Sequence, residues 1–169
     1  MPRSVTRFRW TLFGFAAAGL ALSLSTVSPA VAADTATFEA GLACSFPLQI
    51  DSTGGGPQVN KTFEARDGSV RILTAGKGSD LVFTNLATGA TYRLSGNGAA
   101  QWLRVDAAGS ARLTLMGHNV LIYFPTDDPA GPSTTLVVGR EDIIVDLQTS
   151  HFTRLSRTGH TTDICAALT

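Results

Sequence analysis

Turn-forming residues recur along residues 62–116 at spacings that leave room only for short strands between them. That confines the chain to antiparallel β structure, because consecutive strands joined by tight turns run in opposite directions. Read as a two-residue type I′ loop, Asp67-Gly68 pairs Ala65 with Val70 and Phe63 with Ile72 on one face, and Glu64 with Arg71 on the other. Asn97-Gly98, read the same way, pairs Tyr92 with Leu103 and Ala90 with Val105. It also sets Arg93 across from Trp102 and Thr91 across from Arg104. A four-residue loop, Leu86-Ala87-Thr88-Gly89, places Phe83 opposite Tyr92 and Leu81 opposite Leu94. A three-residue loop, Ala107-Ala108-Gly109, places Leu113 opposite Leu103 and Ala111 opposite Val105. A one-residue slip reverses every side chain, so four turns agreeing on one apolar face predict a five-stranded meander over residues 62–116.

Beyond the meander, residues 120–124 are apolar on both faces, which suits a strand covered on two sides. A turn-rich loop follows over residues 125–132. Further strands are predicted over 134–139, 143–147 and 152–156, the last after Gln148-Thr149-Ser150 and in an unfixed register. Residues 46–50 make a first strand, and the glycine-rich stretch 52–57 is a flexible connector. No sustained helical period appears after the first thirty residues. About ten short strands mean an all-β fold, an antiparallel β-sandwich built from consecutive hairpins. The doubly apolar strand favours that layered arrangement over its alternative, a closed up-and-down β-barrel.

The N-terminus carries an address. Arg3, Arg7 and Arg9 precede an uncharged apolar run, then Ser28-Pro29 and the small-residue site Ala30-Val31-Ala32. This is the pattern of a cleavable signal peptide, residues 1–32, and the apolar run is shorter than a spanning helix requires. Residues 33–61, an N-terminal strand and connector, form one domain with the body at 62–169. Three of the 13 basic residues leave with the leader, and none of the 13 acidic ones do, so the remainder is net acidic. Such a chain lacks the clustered positive charge of a nucleic-acid binder and has no second membrane-length segment. Both cysteines, Cys44 and Cys165, survive cleavage and stand near the two ends. In an oxidising compartment they are expected to form an internal disulfide.

The segments Gly117-His118-Asn119-Val120-Leu121-Ile122, Phe124-Pro125-Thr126-Asp127 and Pro129-Ala130-Gly131-Pro132-Ser133-Thr134-Thr135 resemble a family of small secreted proteins of actinobacteria. The likeness continues through Val138-Gly139-Arg140 and the ending Thr161-Thr162-Asp163-Ile164-Cys165-Ala166-Ala167-Leu168. It implies an exported, small domain without an assigned activity, and it carries no catalytic residue over to this chain.

The candidate chemistry is sparse. His118, His151 and His160 lack the short spacings of a zinc or copper site. Ser156, His160 and Asp163 have the residue types of a hydrolase triad, but they crowd into one short tail without a nucleophile elbow. Asp127 and Asp128 supply hard oxygens suited to calcium, yet adjacent Asp residues before Pro more often make a turn. No catalytic set, metal site or cofactor motif emerges. The most specific feature is the outer face of the meander, where Trp102 stands among Arg93, Arg104, Arg112, Thr91 and Thr114. A flat aromatic beside arginines can stack a sugar ring or grip an anion; the same residues would be ordinary core if a second sheet covered them. The reading is a secreted, non-enzymatic domain that binds a cell-wall or other extracellular glycan, or a protein. The alternatives are a small secreted hydrolase and a structural component of the cell surface.

Overall fold

The computed structural model describes residues 34–106 and 110–169. The leader predicted at 1–32 and the Ala107-Ala108-Gly109 loop expected between two strands lie outside the described residues. The fold is an antiparallel β-sandwich, open at its edges rather than closed into a barrel. One sheet has four strands in the order β1 (Asp34–Phe38), β2 (Leu48–Thr53), β5 (Asp80–Asn85) and β6 (Thr91–Leu94). The other has six, in the order β10 (Phe152–Asp163), β9 (Ser133–Val145), β8 (Ala111–Tyr123), β7 (Gly98–Val105), β4 (Val70–Lys77) and β3 (Gln58–Glu64). A one-turn helix, α1 (Ile164–Ala167), ends the chain, with the Asp163 carboxylate accepting from the Ala166 amide at its start.

Two of the expected turns hold their registers. The loop at residues 86–89 pairs Phe83 with Tyr92 and Leu81 with Leu94, and both pairs face inward. β7 and β8 pair Leu103 with Leu113 and Val105 with Ala111. The other two differ, and each difference has a backbone cause.

Asp67-Gly68 closes a three-residue loop, not a two-residue one. The Ala65 amide donates to the Ser69 carbonyl, the Gly68 amide donates back to Ala65, and only Gly68 adopts a positive φ, of 77°. A type I′ loop needs positive φ at both central residues. The register therefore slips by one, so Phe63 faces Arg71, and Glu64 faces Val70 instead of Arg71. Phe63 moves from the inner face to the outer one.

Asn97-Gly98 is not a hairpin at all. The chain crosses between sheets there, alongside the opposite crossing at Gly78, whose amide donates to the Asn97 carbonyl. β6 therefore stays on β5, and β7 pairs with β4. The predicted meander is split between two layers, and Tyr92 and Leu103 lie in different sheets. This exchange lets Leu81, Phe83, Tyr92 and Leu94 pack with Val120, Ile122 and Leu136 of the facing sheet. Other boundaries shift as well. The stretches 134–139 and 143–147 belong to one unbroken strand, β9, and β10 runs well past residue 156. The first strand is β1, ahead of the stretch predicted at 46–50.

One rung of small residues crosses five strands of the six-stranded sheet: Gly76, Ala99, Gly117, Gly139 and Gly159 stand directly across from one another in turn. A Cβ on Gly117, Gly139 or Gly159 would run into a neighbouring strand's carbonyl oxygen. The long strands fold at this rung. Below it, Leu113, Leu115 and Ile143 meet Leu121, Tyr123 and Val137 from above it, forming a second core. Above it, the opposite face of β8 and β9 packs on the four-stranded sheet. Residues 120–123 thus serve two cores at once.

Cys44 and Cys165 form a disulfide with their Cα atoms 5.6 Å apart and a sequence separation of 121. It ties α1 to the loop before β2, beside buried Leu48, Phe83, Ile164 and Leu168. Asn85 Nδ2 donates to the Leu168 carbonyl at 3.1 Å, and Thr134 Oγ1 donates to the Ala43 carbonyl at 2.9 Å.

Gly117→Ala combines a φ of 87° with a blocked Cβ and is expected to cost about 3 kcal/mol or more in urea unfolding. Gly89→Ala, at φ 78° but with open space around it, is expected to cost only about 1 kcal/mol. Replacing both cysteines with alanine is expected to remove up to about 4 kcal/mol, since so long a loop is left unconstrained in the unfolded chain.

Candidate functional site

The outer face of β3, β4, β7 and the lower half of β8 is built by strict cross-strand pairing. Arg71, Arg104 and Arg112 stand directly opposite one another on three neighbouring strands. The next rung is Lys61, Leu73, Trp102, Thr114 and Asp142. Alternation along each strand puts both rungs on the same side of the sheet.

Trp102 is half-buried and lines a groove of 360 Å³ with Arg71, Arg104, Arg112 and Thr114. Phe63, 45% exposed, lies beside it with ring centroids 5.8 Å apart. The four-stranded sheet packs elsewhere, so this face is not a sandwich interior. Arg104 and Arg112 keep about half of their side-chain surface in solvent, at 50% and 51%.

Of the residues expected here, Trp102, Arg104, Arg112 and Thr114 come together. Arg93 and Thr91 do not. Both belong to β6 in the other sheet, where Arg93 faces Val82 and Thr91 faces Thr84. The cation–π pairing of Arg93 with Trp102 is therefore absent, because the Asn97-Gly98 crossing separates their sheets. Arg93 instead borders a cleft of 410 Å³ with His118, Leu94, Val120 and Leu136. Arg71 and Phe63 belong to the face and were missed. The signal for Phe63 was the choice between a two- and a three-residue loop at Asp67-Gly68, whereas Arg71 joins through the pairing of β4 with β7.

Asp142 anchors the far side of the face. Its carboxylate accepts from Thr114 Oγ1 at 2.6 Å, Arg140 Nε at 2.9 Å and Ser156 Oγ at 3.2 Å, and it pairs with Arg112 at 3.2 Å. The hydrogen bonds from Arg140, aided by Thr114 and the charge of Arg112, outweigh burial and hold this carboxyl far below the usual carboxylate range. The carboxylate thereby fixes Thr114 and Arg112 beside the groove.

Inside the second core, buried Tyr123 donates its hydroxyl to Glu141 Oε1 at 2.6 Å, and Arg157 holds Glu141 through two bonds of 2.8 Å. Burial, reinforced by the bond to Glu141, pushes the Tyr123 phenol well above its ordinary value. Arg154 and Arg157 sit 5.7 and 5.9 Å from the centre of the Tyr123 ring. This satisfied set clamps the sheet fold and does not open onto a substrate cleft.

The remaining candidates have structural partners. Asp127 accepts from the Phe124 and Phe152 amides at 2.7 and 2.9 Å. Its carboxylate thus ties the loop at residues 125–132 to β10. Among the described residues, no cluster of three or more His, Cys, Asp or Glu residues could hold a metal ion. Ser156 and His160 lie four residues apart on one extended strand, about 13 Å, and Asp163 caps α1, so these three do not assemble as a triad.

The architecture and this open, basic and aromatic face define the class: an antiparallel β-sandwich with a candidate binding surface on its larger sheet. No family model, curated protein or solved structure matches the chain.

Asp142→Asn is expected to reduce stability by about 2 kcal/mol at neutral pH, measured by denaturant unfolding. The native carboxyl titrates below its unfolded value, so its contribution is complete above about pH 4 and drains away at lower pH. The variant should accordingly lose less stability than the wild type between about pH 4 and pH 2.

Proposed function

We propose that this chain is a non-enzymatic extracellular binding domain, and that the Trp102 face holds an extracellular glycan. Export is supported by the basic start, the apolar run and the Ala30-Val31-Ala32 site, together with a disulfide that suits an oxidising compartment. Among the described residues, no helix is long and apolar enough to cross a membrane.

The observation that carries the binding reading is the pairing of exposed Phe63 with half-buried Trp102 beside a groove lined by arginines. Large aromatics are usually covered, and an aromatic platform rimmed by hydrogen-bond donors marks a recognition surface. A sugar ring offers one apolar flank to such a platform and hydroxyls to the guanidinium groups around it. The flat, open shape suits a polymer lying across the strands better than a small molecule enclosed in a pocket.

Once the leader is removed, Trp102 is the sole tryptophan, since the other is Trp10. Its fluorescence therefore reports directly on this face. Insoluble cell-wall polysaccharide should retain the wild type and shift its Trp102 emission. Trp102→Ala is expected to be retained about tenfold less, with Trp102→Phe intermediate. Equal retention of all three proteins would remove this face from any binding role.

A further inference from the structure

We propose that the glycan held here is an acidic polysaccharide, with its carboxylates gripped by the rung Arg71, Arg104 and Arg112. This rests on the glycan reading above and adds the charge of the ligand and the role of Arg71.

The rung is an unfavourable arrangement for the free protein. Like charges directly opposite one another on paired strands destabilise a sheet. Here three arginines are opposed in succession, spanning about 10 Å from Arg71 to Arg112. The acids nearby relieve this only in part. Asp67 approaches Arg104 at 3.9 Å, but both side chains are half or more exposed, and such pairs contribute little. Asp106 borders the same end of the face, and its carboxylate accepts from the Ser110 amide. Asp142 is shared between Arg112 and Arg140.

Counting along the rungs, Lys61, Arg71, Arg104, Arg112 and Arg140 all lie on this side of the sheet. Yet the chain beyond the leader is net acidic. The cations are thus concentrated where the aromatic pair is, and an anionic ligand would turn their mutual repulsion into attraction.

A guanidinium meets a carboxylate in a planar fork of two hydrogen bonds, a geometry that a neutral sugar does not offer. Phe63 continues the arginine rung on β3 and Trp102 lies one rung away, so a ring on the aromatics and its carboxylate on the arginines can be engaged together. A nucleic acid would also find stacking and cations here, but a net acidic domain repels so densely charged a polymer over the rest of its surface.

The test is a titration of Trp102 fluorescence with oligogalacturonate, a neutral malto-oligosaccharide of equal length, and oligothymidylate. It uses the processed protein and its Arg71→Gln and Arg104→Gln variants. The wild type should bind oligogalacturonate at least tenfold more tightly than the neutral chain, and the advantage should shrink as NaCl rises. Each variant should reduce that preference to within about threefold. Arg104→Gln should also melt no lower than the wild type, and about 2 °C higher if repulsion on the rung is relieved. Equal affinity for the neutral and acidic chains, in wild type and variants alike, would overturn the charge inference and leave the glycan reading standing. Oligothymidylate bound as tightly as oligogalacturonate would overturn the choice of ligand. Unmoved fluorescence with both saccharides would overturn both.

Discussion

The fold turns on how closely backbones approach along the rung that runs from Gly76 through Ala99, Gly117 and Gly139 to Gly159. Where these strands bend, neighbouring carbonyl oxygens occupy the space that a Cβ would take. Only glycine permits both that approach and the positive φ at Gly117 and Gly159. Without the bend, β8, β9 and β10 would form a flat sheet long enough to leave one face in water. With it, Tyr123 comes back over the lower half of its own sheet and reaches Glu141, a residue paired with Leu115 several positions down the strand. The sheet acquires an interior without a second sheet on that side.

The two cores then divide the work. The first is a sandwich core between the four-stranded sheet and the upper halves of β8 and β9, fastened by Cys44–Cys165. The second is the folded sheet itself, with Glu141 and Arg157 fully engaged by one another and by Tyr123. A buried carboxylate is tolerable there because each of its oxygens has a charged or hydroxyl donor. Since both cores lie on other surfaces, the outer face of β3, β4 and β7 is not required for packing. That freedom is what allows a row of arginines to persist in a place where stability alone would select against it.

Much of this was legible in the sequence, and the failures are instructive. Period-2 alternation identified most of the strands, though not β1 or the continuity of β9, and two turns fixed registers because loop length there followed from local residues: the loop at 86–89 and the return from Val105 to Ala111. The doubly apolar stretch at 120–123 announced a strand between two layers, and it lies between two cores. Asp67-Gly68 misled because the dipeptide suits loops of either two or three residues, and the difference is one φ angle. Asn97-Gly98 misled for a deeper reason. Its neighbours match in parity whether β7 pairs with β6 or with β4, so local pattern cannot separate a hairpin from a crossing. The decision belongs to tertiary burial, which favours placing Leu81, Phe83, Tyr92 and Leu94 against a second layer.

The candidate face shows the same division between local and distant information. Arg104, Trp102, Arg112 and Thr114 could be grouped because β7 and β8 are consecutive strands joined by a short loop. Arg71 and Phe63 join them only through the pairing of β4 with β7, which brings together strands separated by the whole β5–β6 excursion. Arg93 was lost to the same event. The exchange of one arginine for another matters physically. Arg93 beside Trp102 would have made a lone cation–π contact, satisfied within the protein. Arg71 across from Arg104 instead completes an uninterrupted row of three like charges, which Asp67 and Asp142 offset only at Arg104 and Arg112.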